Sequence, residues 1–192
     1  MGVPVISTDP MTVEEFYCFT DTRPDNEKWE LIEGEPVLNA SPSPTHQWIV
    51  KNLLIVLGNR ERQLDASWAV LPGLGVRVSR TNRPEPDVLI IPRATFSSDP
   101  SKRDTNEVIA AFEILSPSTA ERDLRWKRTA YTGMSSLTHY IVIAQDAVDV
   151  VVFARETGFT ERRYRLLGDS LELPALGISL PLSEIYRDTG LE

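Results

Sequence analysis

Glu113 is a carboxylate set inside an otherwise apolar run, Ile109-Ala110-Ala111-Phe112-Glu113-Ile114-Leu115. An ionised carboxylate buried in such a strand costs several kcal/mol unless a cation compensates it. The run therefore predicts a partner for Glu113: a metal ion, a lysine or an arginine. Strand alternation puts Glu113 on the face of Ala111 and Leu115, where the small Ala111 leaves room beside it. A second carboxylate, Asp87, opens the apolar segment Val88-Leu89-Ile90-Ile91 directly after Arg83-Pro84-Glu85-Pro86. Pro86 has no N–H and its ring favours extended chain before it, so Asp87 is expected where a strand enters a sheet. Two acids on neighbouring strands can converge on one divalent cation. Magnesium prefers oxygen ligands and commonly takes only one or two protein carboxylates, leaving the rest of its shell to water and phosphate. Lys127 is the third element. It shares a helix face with Asp123 at i, i+4, and a helix that follows the Glu113 strand packs back over the sheet. A lysine arriving from there can orient an attacking water and stabilise the charge of a phosphorane-like transition state.

The elements that must position these residues are legible from pattern. Thr12 and Glu15 form a capping box that starts a short helix over residues 12–19. Residues 29–38 read as a hairpin turning at Gly34. Ser41-Pro42-Ser43-Pro44 punctuates the chain before a long helix at about 45–64, where Ile49, Leu53, Val56 and Leu57 recur at helical spacing. Strands at 68–71 and 76–78 flank Pro72-Gly73, and the runs at 88–91 and 109–115 suit central strands covered on both faces. A helix follows at about 119–131, with Ser118 and Glu121 as a second capping box. Strands are expected at 137–143, 148–153 and 160–167, with a short helix or turn near 180–186. The pattern predicts one α/β domain with a central mixed β-sheet flanked by helices. Its core spans about 11–167, with a C-terminal extension over 168–192.

Composition narrows the function classes. A chain of 192 residues suits a single domain. Its net charge of −8 argues against a protein that merely coats DNA, yet leaves an enzyme open because local patches decide contact. Arg122, Arg125 and Arg128, beside Lys127, are candidate phosphate contacts; they and the group Arg162, Arg163 and Arg165 read first as solvated faces. No apolar run is long enough to span a membrane, and the N-terminus lacks the basic start and apolar stretch of a secretory signal, so a cytoplasmic protein is expected. The single cysteine, Cys18, is expected to pack with Phe16, Tyr17 and Phe19. Two histidines and one cysteine make a zinc site of nitrogen and sulfur ligands improbable, and His46 and His139 read as packing or hydrogen-bonding residues. Glycine-serine elbows, phosphate-binding loops and dinucleotide fingerprints are missing.

The string Pro86-Asp87, then Phe112-Glu113-Ile114-Leu115-Ser116-Pro117-Ser118-Thr119, then Asp123, Lys127 and Tyr131 resembles the Uma-two family. So do Trp29-Glu30-Leu31-Ile32-Glu33-Gly34 and the stretch from Ser41-Pro42 to His46, and the resemblance spans about residues 11–152. Those are restriction-endonuclease-like proteins of the PD-(D/E)XK superfamily. The resemblance implies that Asp87 and Glu113 hold Mg²⁺ or Mn²⁺, with Glu33 as a further carboxylate. The superfamily's lysine usually stands two residues after the second acid, where this chain has Leu115; the family resemblance implies Lys127 in its place. The implied activity is endodeoxyribonuclease, with DNA as substrate, and cutting both strands would suit a homodimer. Two other classes stay open: a binding or oligomerisation module in which Glu113 and Lys127 are a structural pair, and a hydrolase of small phosphate esters.

Overall fold

The computed structural model describes residues 9–96, 101–116 and 123–191. The first helix, α1 (Val13–Thr20), starts at the expected capping box: the Thr12 hydroxyl accepts the Glu15 N–H, and the Glu15 carboxylate accepts the Thr12 N–H at 2.8 Å. Val13 and Phe16 turn inward, whereas Cys18, expected to pack, is exposed. Helical spacing explains the correction, since a stripe through positions 13 and 16 leaves 18 on the outer side. Strands β1 (Trp29–Ile32) and β2 (Glu35–Leu38) make the hairpin. Its two turn residues, Glu33 and Gly34, have φ of 53° and 80°, the primed geometry that matches strand twist. Gly34 is required twice over, because a Cβ there would lie 2.3 Å from Pro10 Cβ.

Helix α2 (Pro44–Gln63) begins with Pro44 in its first turn and Ser43 as cap, accepting the His46 N–H at 3.1 Å. Strands β3 (Trp68–Pro72), β4 (Gly75–Val76), β5 (Val88–Pro92), β6 (Asp104–Thr105) and β7 (Ala110–Leu115) follow. The strand expected over 76–78 is thus shorter and starts earlier. A π-helical turn over Asp123–Lys127 runs into helix α3 (Arg128–Thr132). The second capping pair, Ser118 with Glu121, and Arg122 lie outside the described residues. Strands β8 (His139–Ala144), β9 (Val150–Ala154) and β10 (Glu161–Tyr164) continue, and β11 (Ser170–Leu173) and β12 (Ile178–Pro181) form a hairpin that leads to helix α4 (Leu182–Ile185).

The main sheet is mixed and six-stranded, in the order β10-β9-β8-β7-β5-β3. Its parallel pair is β7 with β8, and the other four pairings are antiparallel. A parallel pair needs a crossover over one face of the sheet, and the segment carrying the π turn and α3 supplies it. That face holds Leu89, Ala111, Tyr140, Val142 and Phe153 under Tyr131 and Leu137. The opposite face presents Ile90, Phe112, Ile114, Ile141 and Val152 to Ile49, Leu53 and Leu57 of α2. Both faces being covered accounts for the continuous apolar runs.

Leu171, Leu180, Ile185 and Tyr186 from the C-terminal residues pack into this second layer. Asn52 of α2 fastens them: its amide donates to the Ile185 carbonyl at 3.0 Å and the Arg187 carbonyl at 2.7 Å. Among the described residues, no helix is long and apolar enough to cross a membrane. Replacing Asn52 with Ala strips donors from two carbonyls and should cost about 1–3 kcal/mol. In urea unfolding, the midpoint should fall with the slope unchanged.

Candidate functional site

Strands β5 and β7 run antiparallel with Val88 opposite Phe112. One residue further along that register, Asp87 falls opposite Glu113, on the face of Leu89 and Ala111. Two carboxylates set opposite each other repel, so cations must answer them. Asp87 uses both oxygens. Its Oδ2 accepts the Ile114 N–H at 2.9 Å, anchoring the carboxylate to the backbone of β7. Its Oδ1 lies 3.3 Å from His46 Nε2 and 3.4 Å from Lys28 Nζ. Burial alone would raise the Asp87 pKa. The His46 hydrogen bond, the Lys28 and His46 charges and the Ile114 N–H outweigh it, and hold the group at about 2. Lys28 answers in kind: burial opposes its charge, but Asp87, Glu85, Glu113 and Glu30 raise its pKa above the ordinary lysine value.

Glu113 meets the expectation of a buried charge with a cation. It is 3 % exposed, and Lys127, 2 % exposed, places Nζ 2.9 Å from its Oε1. The same ammonium lies 2.9 Å from Oε1 of Glu30, a residue with no exposure at all. Tyr131 donates its hydroxyl to Glu113 Oε1 at 3.3 Å, and the Glu85 N–H donates to Glu30 Oε1 at 2.7 Å. Lys127 and Tyr131 are four residues apart, so the end of the π turn and the next helical turn deliver both to one strand residue. Two carboxylates and one lysine thus share a buried site, with backbone and phenol donors on the Oε1 atoms that face the ammonium.

The expected residues are not all brought together. Asp87, Glu113 and Lys127 line one cavity of about 420 Å³, with Lys28, His46 and Glu85. Glu33, expected as a further carboxylate, does not reach it. It is exposed in the hairpin turn, and its N–H donates to Asn82. The carboxylate that the hairpin contributes is Glu30, three residues back on β1 and so roughly 10 Å away along the chain. The signal was present: Glu30 stands between Trp29 and Leu31 as Glu113 stands between Phe112 and Ile114. His46 was expected to hydrogen-bond, and it does so to Asp87 from the first turn of α2. Lys28 carries no sequence signal, since only tertiary folding brings it to Asp87. Arg125 is exposed, Arg128 stacks 4.2 Å from the Phe153 ring, and neither lines the cavity. His139 is buried with Nδ1 2.9 Å from the Thr138 hydroxyl.

The donor set is oxygen-rich and fits a hard divalent cation. Asp87, Glu113 and Glu30 carry three formal negative charges against two from Lys28 and Lys127, and Asp87 and Glu113 open on the same cavity. Among the described residues, no group of three or more His, Cys, Asp or Glu side chains is already arranged as a metal cage. A cation taken here would keep most of its shell for water and substrate.

Comparison with known proteins agrees with this geometry at the level of fold and family. A solved structure of similar fold is titled "Crystal structure of a putative nuclease belonging to DUF820", from Anabaena variabilis ATCC 29413. It aligns with a TM-score of 0.74 at 14% sequence identity, over 92% of this chain and 98% of that one. Among curated proteins, none matches. The family model of Uma2, described as "Putative restriction endonuclease", matches residues 13–183. Over that span the chain carries the sheet, the crossover and the buried carboxylate–lysine cluster, and it belongs to the Uma2 family.

Proposed function

We propose that this chain is a metal-dependent endodeoxyribonuclease that hydrolyses phosphodiester bonds in DNA. The observation that carries the reading is the position of Asp87 opposite Glu113, both on one cavity that also presents Lys127. Asp87 and Glu113 would hold Mg²⁺ or Mn²⁺, which supplies Lewis-acid polarisation of the scissile phosphoryl group and acidifies water. Lys127 holds its positive charge at a fixed point by two contacts of 2.9 Å, where it can orient the attacking water and meet the charge developing on phosphorus oxygens. Glu30 and Tyr131 position this group and the Glu113 carboxylate. Lys28 and His46 keep Asp87 ionised at any physiological pH.

A second reading, a non-catalytic binding module of nuclease fold, draws on the same triad. Lys127 already compensates Glu30 and Glu113, so the cluster is complete as a structural device. Calorimetric titration with Mg²⁺ and Mn²⁺, beside cleavage assays on DNA, RNA and small phosphate esters, separates the readings. Metal binding with DNA cutting supports the nuclease; metal binding with turnover of esters alone supports a small-molecule hydrolase; no metal binding supports the module.

Three outcomes are expected. Asp87→Asn and Glu113→Gln should each lower the metal-dependent kcat on DNA by on the order of 10²–10³ or more, since each removes charge aimed at the reacting centre. Cleavage equal to the parent would sink the assignment. Lys127→Ala leaves two buried carboxylates without their ammonium and should cost about 3–5 kcal/mol at neutral pH, less in acid where a carboxylate can take up a proton. Thermal unfolding across pH measures this directly. Asp87 has a folded pKa of about 2 against 3.8 unfolded, so its stabilisation is fully present above pH 3.8 and lost as pH falls through 2. Relative to Asp87→Asn, the parent should therefore lose about 2 kcal/mol between pH 5 and pH 2.

A further inference from the structure

A second cavity, of about 390 Å³, adjoins the first and shares Lys28 and Glu85 with it. Its walls come from α1, from the segment between α1 and β1, and from Arg83 and Arg103. Four cations, Arg23, Lys28, Arg83 and Arg103, line it, and three of them are paired: Lys28 with Asp87, Arg83 with Glu85 and Arg103 with Asp21. The guanidinium groups are held by rings. Arg23 lies 4.3 Å from the Phe19 centroid, and Arg103 lies 4.3 Å from that of Tyr17. A guanidinium stacked on a ring keeps its N–H edge for acceptors in its own plane, the fork that matches a phosphate. Arg103 commits part of that edge to Asp21 at 2.6 Å and to Thr20 at 3.1 Å. Arg23 is exposed at the cavity with its guanidinium over the Phe19 ring, which itself meets Trp29 edge to face at 5.0 Å. Arg83, by contrast, is structural: it binds Glu85 at 2.9 Å and the Arg103 carbonyl at 3.0 Å, and packs so closely on Gly75 that a Cβ there would collide with it.

We infer that this second cavity is a binding subsite for the DNA strand next to the bond being cut, with Arg23 gripping a backbone phosphate. The inference rests on the nuclease reading and extends it to where the substrate lies. The strand would run from Asp87 and Glu113 past Lys28, the residue common to both cavities, toward Arg23. An anionic strand accounts for an arginine held on an aromatic ring at the cavity, its guanidinium making no hydrogen bond or ion pair among the described residues.

The test uses the full chain with Mn²⁺, a fluorescently labelled DNA duplex with a single-stranded arm, and the variants Arg23→Glu and Arg23→Lys. Arg23 is exposed, so neither change threatens folding. Cleavage by Arg23→Glu should show KM raised about tenfold with kcat within about twofold, and Arg23→Lys should fall between it and the parent. Binding by anisotropy, measured on the Glu113→Gln background to prevent cutting, should show a salt slope shallower by about one for the added Arg23→Glu change. If the parent cuts DNA and Arg23→Glu keeps its KM and salt slope, or loses kcat alone, the subsite is wrong while the nuclease reading stands. If the parent neither binds nor cuts DNA with Mn²⁺, nor with Mg²⁺ in its place, both fall together.

Discussion

The buried ammonium of Lys127 between Glu30 and Glu113 is the contact on which the arrangement of the rest depends. None of the three charges could be left alone in that environment, because an unpaired ion there carries a penalty of several kcal/mol. Each comes from a different element: the hairpin of β1 and β2, the central strand β7, and the π turn of the crossover. Docking any one element without the other two strands a charge. The cluster therefore couples the N-terminal hairpin to the sheet more tightly than its modest apolar contacts would, since the hairpin's own apolar layer is confined to Leu31 with Val13, Phe16 and their neighbours.

The two faces of the sheet divide the work. Beneath α2 and the C-terminal residues the layer is apolar, and Asn52 secures its margin through two backbone carbonyls. The crossover face carries aliphatic and aromatic packing over most of its area, but at the ends of β5 and β7 it gives way to carboxylates, lysines and a tyrosine hydroxyl. Polar groups gather there because the strand ends open on a cavity: Asp87 precedes β5, and the first turn of α2 brings His46 across to it. The pairings are local. Lys28 and His46 serve Asp87, Lys127 serves Glu113 and Glu30, and the hydrogen bond from Ile114 to Asp87 ties the two halves through the backbone of β7.

Much of this was legible in the sequence, for identifiable reasons. The Thr12–Glu15 capping box, the turn at Gly34 and the unbroken apolar runs are local signals, and the mixed sheet with flanking helices follows from them. Glu113 announced itself because a charge in an apolar strand demands a cation, and Asp87 because an acid stands at a strand start. Family resemblance then pointed to Lys127 in place of the lysine missing at Leu115. Glu33, implied as a further carboxylate, stays outside the cavity because a hairpin's turn and its strand differ in burial, and only docking decides which carboxylate faces inward. Cys18 failed for a similar reason, since an aromatic neighbourhood in sequence is not a shared face on a helix.

By itself the sequence determined most of the main element types, the strand positions of Asp87 and Glu113, and the need for a buried cation, because these depend on alternation, helical period and the cost of desolvation; the register that sets Asp87 against Glu113 came from the folded sheet. Tertiary structure alone decided which groups meet that need. Lys127 reaches Glu113 through a crossover, Lys28 reaches Asp87 from 59 residues away, and Glu30 completes the cluster from a hairpin that pairs with neither strand. Such convergence is set by how separate elements pack, and no local pattern encodes it.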